Sequence, residues 1–151
     1  MPLVLPKRHP CPYCENFARR YAWHGPPAVI AEDEVTFTFL TPAPLGGMDG
    51  HTLVIPKRHV ETIFDLTGEE EAALGHAVAG VARALRSAPD PDGVLIQQHN
   101  GVAAFQTVRH IHFHVIPKRA DAPFPPTEEA EVVPYERRVA LAKTIRAHWR
   151  A

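Results

Sequence analysis

The chain has 151 residues, 45% of them hydrophobic, and a formal net charge of −1. That length suits one domain that buries a core without disulfide staples, and the near-zero charge excludes a strongly basic footprint for nucleic acid. No apolar run approaches the roughly 18 residues of a membrane span, and the stretch Met1 to Arg8 lacks the apolar segment of a signal peptide, so the expectation is a cytoplasmic protein with neither nucleic acid nor membrane as partner.

In chain order, Cys11 and Cys14 are the only cysteines, spaced C-x-x-C. In a reducing compartment that spacing favours metal or redox use over a structural disulfide. Residues 28–40 read as two strands joined at Glu32-Asp33-Glu34, with Thr36, Phe37, Thr38 and Phe39 alternating like a half-buried strand. Residues 41–50 hold two Pro and three Gly and form a loop, and 51–55 form a strand stopped by Pro56. Thr67-Gly-Glu-Glu70 is a capping-box signature. It opens a long helix, about 68–87, with Leu74, Val78, Val81 and Leu85 as its buried stripe, ended by Pro89 and Pro91. Val94 to Gln98 is another strand, followed by an Asn100-Gly101 turn. Residues 107–116 read as the last strand, and 135–150 as a C-terminal helix with Val139, Leu141 and Ile145 partly buried. Hairpin-length connections predict an α+β fold with a mainly antiparallel sheet. Leu5-Pro6-Lys7-Arg8-His9, Ile55-Pro56-Lys57-Arg58-His59 and Ile116-Pro117-Lys118-Arg119 are near copies. They are too short for a repeat architecture and read as strand ends followed by solvated cations.

Val108-Arg109-His110-Ile111-His112-Phe113-His114-Val115-Ile116 carries the most information. On a helix the three histidines diverge. On a strand they share one face, about 6.6 Å apart, while Ile111, Phe113 and Val115 face the core. Three imidazoles on one face suit either a zinc site or nucleophilic catalysis. Asn100, Gln106 and Thr107 nearby supply neutral donors fit for phosphate oxygens, which favours the second, and His51 adds another imidazole.

His-Ile-His-Phe-His-Val-Ile resembles the H-φ-H-φ-H-φ-φ signature of the histidine triad (HIT) family. Asp49-Gly50-His51-Thr52-Leu53-Val54-Ile55-Pro56-Lys57-Arg58-His59 resembles its upstream G-H-x-L-V-I-P-K-x-H block, and Asn100-Gly101 to Gln106-Thr107-Val108 its N-x-G…Q-x-V segment. With the cysteine pair the likeness runs over about residues 11–119 of a single 1–151 domain and leaves 120–151 as a tail and helix. It points to the C-x-x-C branch, similar to Hint-like and diadenosine polyphosphate hydrolase-like nucleotide hydrolases, and implies a HIT-like fold. The implied activity is nucleotide hydrolase or nucleotidyl transferase chemistry on an α-phosphate, through a covalent nucleotidyl-histidine. His112 matches the nucleophile. His51 and His114 match positions that contact phosphate and manage leaving-group protons, and Asn100, Gln106 and Thr107 match positions that hold the phosphate. Cys11, Cys14, His59 and His110 match a structural zinc site. No catalytic metal is required, and a homodimer is implied. A nucleotide-binding module with negligible turnover is the competing expectation.

Cys11-Pro12-Tyr13-Cys14 also resembles the glutaredoxin active-site string, which needs a strand before it and a helix N-terminus after it. Here Pro6 and Pro10 break the preceding segment, so zinc is preferred. Among the remaining histidines, His9 and His24 are further candidate ligands, His76 and His148 read as exposed, and His99 either borders the phosphate or faces solvent. One departure from the family stands in Leu40-Thr41-Pro42-Ala43-Pro44. Thr41 occupies the position where the family carries an acidic residue for the ribose hydroxyls, and the loop to His51 is about two residues longer. Asp49 is the candidate replacement, with a solvated loop charge as the alternative.

Overall fold

The computed structural model describes residues 11–17, 26–126 and 131–149. The Leu5–His9 copy, His9 and His24 lie outside them. A short helix α1 (Pro12–Phe17) precedes strands β1 (Ala28–Glu32), β2 (Thr36–Leu40) and β3 (Thr52–Pro56). The long helix α2 (Gly68–Ser87), strands β4 (Gly93–Gln98) and β5 (Phe113–Lys118), and helix α3 (Tyr135–Ala147) follow. Every pairing is antiparallel, in the order β1-β2-β3-β5-β4. The α+β architecture expected from hairpin-length connections is therefore present.

Local chemistry accounts for the elements. Asp33 Oδ1 accepts from the backbone N–H groups of Val35 and Thr36, 2.8 and 2.6 Å away, and this turn joins β1 to β2 within the acidic triplet. Thr67 and Glu70 form the reciprocal capping box of α2. Arg58, just past β3, places Nε and Nη2 on the two Glu70 carboxylate oxygens at 2.7 and 2.8 Å. That fork holds the Glu70 carboxyl down at about 2, and it ties the end of β3 to the start of α2. Lys57 pairs with Glu32 at 2.8 Å, and Arg119 donates to the Asp90 carbonyl. The cations after the strands thus fasten neighbouring segments, where the sequence suggested free, solvated charges.

Leu74, Val78, Val81 and Leu85 of α2 join Ala28, Ile30, Leu40, Val54 and Val115 of the sheet, and Ala142 and Ile145 of α3, in one cluster. Tyr13, Phe37, Phe39, Leu53 and Ile55 form a second. Strand β2 is consequently buried along its whole length and not half-buried as its alternation implied. The period-two pattern is real, but both faces are covered. In α3, Ile145 is fully buried and Leu141 partly so. Val139 is 42% exposed, because α3 turns Ala142 and Arg138 inward instead. His76 and His148 are exposed, as expected.

The one displaced strand is the last. It was expected over 107–116 and runs over Phe113–Lys118. Extending the β3–β5 register would set Pro56 opposite Ile111. Proline has no N–H for the ladder, and the Ile111 N–H bonds the Val60 carbonyl at 2.7 Å instead. Residues 107–112 therefore leave the sheet, and the first two histidines of the run lie before the strand.

Candidate active site and metal centre

His110 is fully buried and its Nε2–H donates to the Pro56 carbonyl at 2.8 Å. This leaves the Nδ1 lone pair facing Cys11 Sγ at 3.4 Å and Cys14 Sγ at 3.5 Å. His59 Nδ1 lies 3.4 Å from Cys14 Sγ, and the four ligand atoms are all within 4.8 Å of one another. Tetrahedral zinc with two sulfur and two nitrogen ligands spaces adjacent S and N atoms about 3.6 Å apart. Tautomer, spacing and donor set all fit that metal. Both thiols point at imidazoles. The helix that follows Cys11, one half of the glutaredoxin requirement, is only six residues long.

The backbone of the same His110 organises the next histidine. His112 Nδ1–H donates to the His110 carbonyl at 2.8 Å, so Nε2 keeps its lone pair. Burial pushes His112 below the usual imidazole range, only partly opposed by that hydrogen bond. Tyr13, carried between the two cysteines, lays its buried ring edge-on at 5.0 Å from His112 and 5.9 Å from His110. Burial, aided by Cys11, pushes its phenol up, so the ring acts as an apolar wall.

His114 and His51 form a second chain. Gly50, at φ 117, turns the chain into β3, and a Cβ there would meet Pro117 Cγ at 2.9 Å. Beyond it His51 Nδ1–H donates to the Ala43 carbonyl at 2.7 Å. His51 Nε2 must then accept, and His114 Nδ1–H donates to it at 2.9 Å. The ring pair is stacked at 23°, with His114 Nε2 left as an acceptor. Burial drives His51 down to about 4, and burial plus His112 and His51 drive His114 down to about 3. The His112 and His114 ring centroids are 4.8 Å apart. The three triad rings do not converge on one point, as a zinc-on-triad site would need. His110 serves the cysteines, while His112 and His114 border a common face.

Of the expected phosphate holders, Gln106 spends its amide on the backbone. Nε2 donates to the Glu61 and Val108 carbonyls, and Oε1 accepts from Gly101 N at 2.7 Å. Asn100 Oδ1 accepts from Ile63 N and from Gln98 Nε2, and its Nδ2 donates to Gln98 Oε1. Both side chains brace the loop after β4, and Thr107 lies exposed at the following bend. His99, left open in the sequence, faces the site, with its ring 5.6 Å from that of His114. Thr41 is buried and its Oγ1 accepts from Ala43 N at 2.9 Å, so its hydroxyl shapes the turn that presents the Ala43 carbonyl to His51. Asp49 is held by Arg137 Nε at 2.6 Å. Sequence reasoning missed Tyr13 and the Ala43 carbonyl. The first was signalled only by its place inside the cysteine pair, and the second, being backbone, by nothing.

Residues 24–121 match the family described as the HIT domain. The protein hit of Bacillus subtilis is 39% identical over 102 residues, 68% of this chain and 69% of its own. The adenosine 5'-monophosphoramidase of Schizosaccharomyces pombe is 38% identical over 89 residues, 59% of this chain and 62% of its own. The crystal structure of a Zn-bound histidine triad family protein from Mycobacterium smegmatis superposes with a TM-score of 0.72 at 32% identity, covering 91% of each chain.

The buried imidazoles give a signed pH dependence of stability. His51 and His114 stay neutral in the fold down to about 4 and about 3, whereas an ordinary imidazole protonates near 6.5. The unfolded chain takes up those protons first, so their contribution is intact above about pH 6.5 and is lost as pH falls toward 4. Denaturation midpoints measured between those limits should fall for the native protein. His51→Gln should show a slope smaller by about one proton, or about 1.4 kcal/mol per pH unit.

Proposed function

Because the chain belongs to the HIT domain family, we propose that it is a nucleotide hydrolase or nucleotidyl transferase in which His112 attacks an α-phosphate. The substrate class is a nucleoside phosphoramidate or dinucleotide polyphosphate. The observation that carries this reading is the His112 Nδ1–H bond to the His110 carbonyl, which leaves Nε2 as the nucleophilic lone pair. Attack in line on phosphorus forms a nucleotidyl-imidazole and expels the leaving group, and water then cleaves the P–N bond. His114 Nε2, held by the His51 chain, faces the same region as a hydrogen-bonding partner for phosphate oxygens. Because an imidazole is the nucleophile, this route needs no catalytic metal. The likeness to the adenosine 5'-monophosphoramidase of S. pombe supports the phosphoramidate class.

Cys11, Cys14, His59 and His110 hold a structural zinc in this reading. A bound zinc supplies a cross-link between α1, the end of β3 and the segment before β5. The reading also takes residues 1–151 as one domain in a reducing, cytoplasmic setting, which suits two thiols that are not joined in a disulfide; none of the described helices is long and apolar enough to cross a membrane. It includes a homodimer, supported by the outer edge of β4, where Ile96 is 46% exposed.

His112→Ala should lose several orders of magnitude in turnover while nucleotide binding persists. A labelled nucleotide trapped on the native protein, acid-labile and base-stable, checks the intermediate. A variant retaining more than about a hundredth of the rate would remove His112 from its role. Bound nucleotide with neither trapping nor turnover in the native protein would leave the binding-module reading.

Freshly purified protein should carry about one zinc per chain by elemental analysis. Chelation should lower the melting temperature more than it lowers activity per folded molecule, and Cys14→Ser should slow nucleotide loading, since its partner His110 also aligns His112.

The ribose reading follows from two engaged side chains. The Thr41 hydroxyl is committed to its own turn and Asp49 to Arg137, so neither presents the free carboxylate that accepts paired bonds from a diol. Ribo and 2′-deoxyribo forms of one phosphoramidate should differ by well under a hundredfold in kcat/KM, about 2.7 kcal/mol, and Thr41→Asp should widen the gap. A hundredfold ribose preference unchanged by Asp49→Ala would refute it.

A further inference from the structure

With the tautomers described above, the buried imidazoles show the substrate two bare Nε2 lone pairs, on His112 and His114, and no ring N–H. Two acceptors serve attack on phosphorus but supply no proton to the group that departs. A departing amine needs one. The fourth ring at the site is His99. Its backbone carbonyl accepts from Gln98 Nε2 at 2.8 Å, and its Nδ1 lies 3.3 Å from the Phe105 carbonyl oxygen. Phe105 itself sits at φ 67 and is 80% exposed, with its ring 6.4 Å from that of His99. The Asn100–Gln98–Ile63 network and the Gln106 strut brace this loop from both sides. His99 is therefore placed against His114 by defined bonds, on a loop whose exposed side is open to substrate.

We infer that His99 is a catalytic residue, the general acid that protonates the leaving group while His112 bonds phosphorus. The inference rests on the proposed attack by His112. An in-line displacement expels the departing atom on the side of phosphorus away from the attacking nitrogen. A donor there has to reach in from outside the His112–His114 pair, and His99 borders that pair at His114. In the first step the His112 Nε2–P bond forms, the P–X bond breaks with its electron pair going to X, and the Nε2 proton of the His99 imidazolium passes to X. The neutral HX leaves and His99 is neutral. In the second step water attacks phosphorus, its proton goes to His99 Nε2, and the P–N electron pair returns to His112. The anionic phosphate of a bound substrate favours the imidazolium form of a ring beside it.

The test compares two substrates of the same nucleoside monophosphate, an alkylamide, whose amine leaves only when protonated, and a p-nitrophenyl ester, whose phenolate leaves unaided. In His99→Ala and in His99→Asn, which keeps a polar amide in the half-buried position, kcat/KM for the alkylamide should fall about a hundredfold or more. The ester should lose less than about threefold, the residue of any binding contact. Equal losses on the two substrates, or no loss on either, would overturn the assignment of His99 while leaving His112 as nucleophile. Native protein that turned over neither substrate would overturn the hydrolase reading and this inference together.

Discussion

The arrangement depends on a single residue bonded in three directions. His110 gives one ring nitrogen to the Pro56 carbonyl, turns the other toward two thiols, and offers its own carbonyl to His112. All three are made where residues 107–112 have left the ladder. Out of the ladder, the His110 carbonyl is turned toward the imidazole two residues on. Pro56 ends the pairing and then supplies the oxygen that orients His110, so one residue both breaks the sheet and sets the tautomer that follows. The cysteine–histidine cluster and His112 are thus two ends of one segment joined through His110, and loosening either end is felt at the other.

Much of this was legible in the chain. The β1–β2 hairpin at the acidic triplet, the capping box at Thr67 and the buried stripe of α2 each follow from local chemistry, and each lies where its residues indicated. The histidine run stood out as a candidate site, and its apolar partners Phe113 and Val115 do pack beneath α2. The start of that last strand was not legible, because nothing within 107–112 forbids pairing. The obstacle is Pro56, more than fifty residues away, and only the register places it opposite. The bracing role of Gln106 and Asn100 was hidden for a related reason. An amide that braces a loop and one that holds a phosphate have the same composition, and only the positions of backbone partners such as Glu61 and Ile63 separate them.

The loop between β2 and β3 shows how a residue change alters a role without opening a hole. Thr41 is buried, bonds Ala43, and through the Ala43 carbonyl reaches His51 and then His114. A side chain at the position expected to meet sugar is spent on holding the tautomers of two histidines. His99 shows the converse, a half-buried ring brought to the edge of the same chain by the bracing of its loop.

The two borders of the sheet are not alike. Arg146 of α3 reaches over β1 and donates to the carbonyls of Val29 and Ile30, at the irregular register where β1 would otherwise offer them to a new strand. At the opposite border β4 pairs inward with β5 and has no such cover among the described contacts. A sheet plugged at one end can lengthen only from the other. Two copies that met along β4 would each use up the other's growing end, so the assembly would terminate at a pair and could not propagate into a fibre.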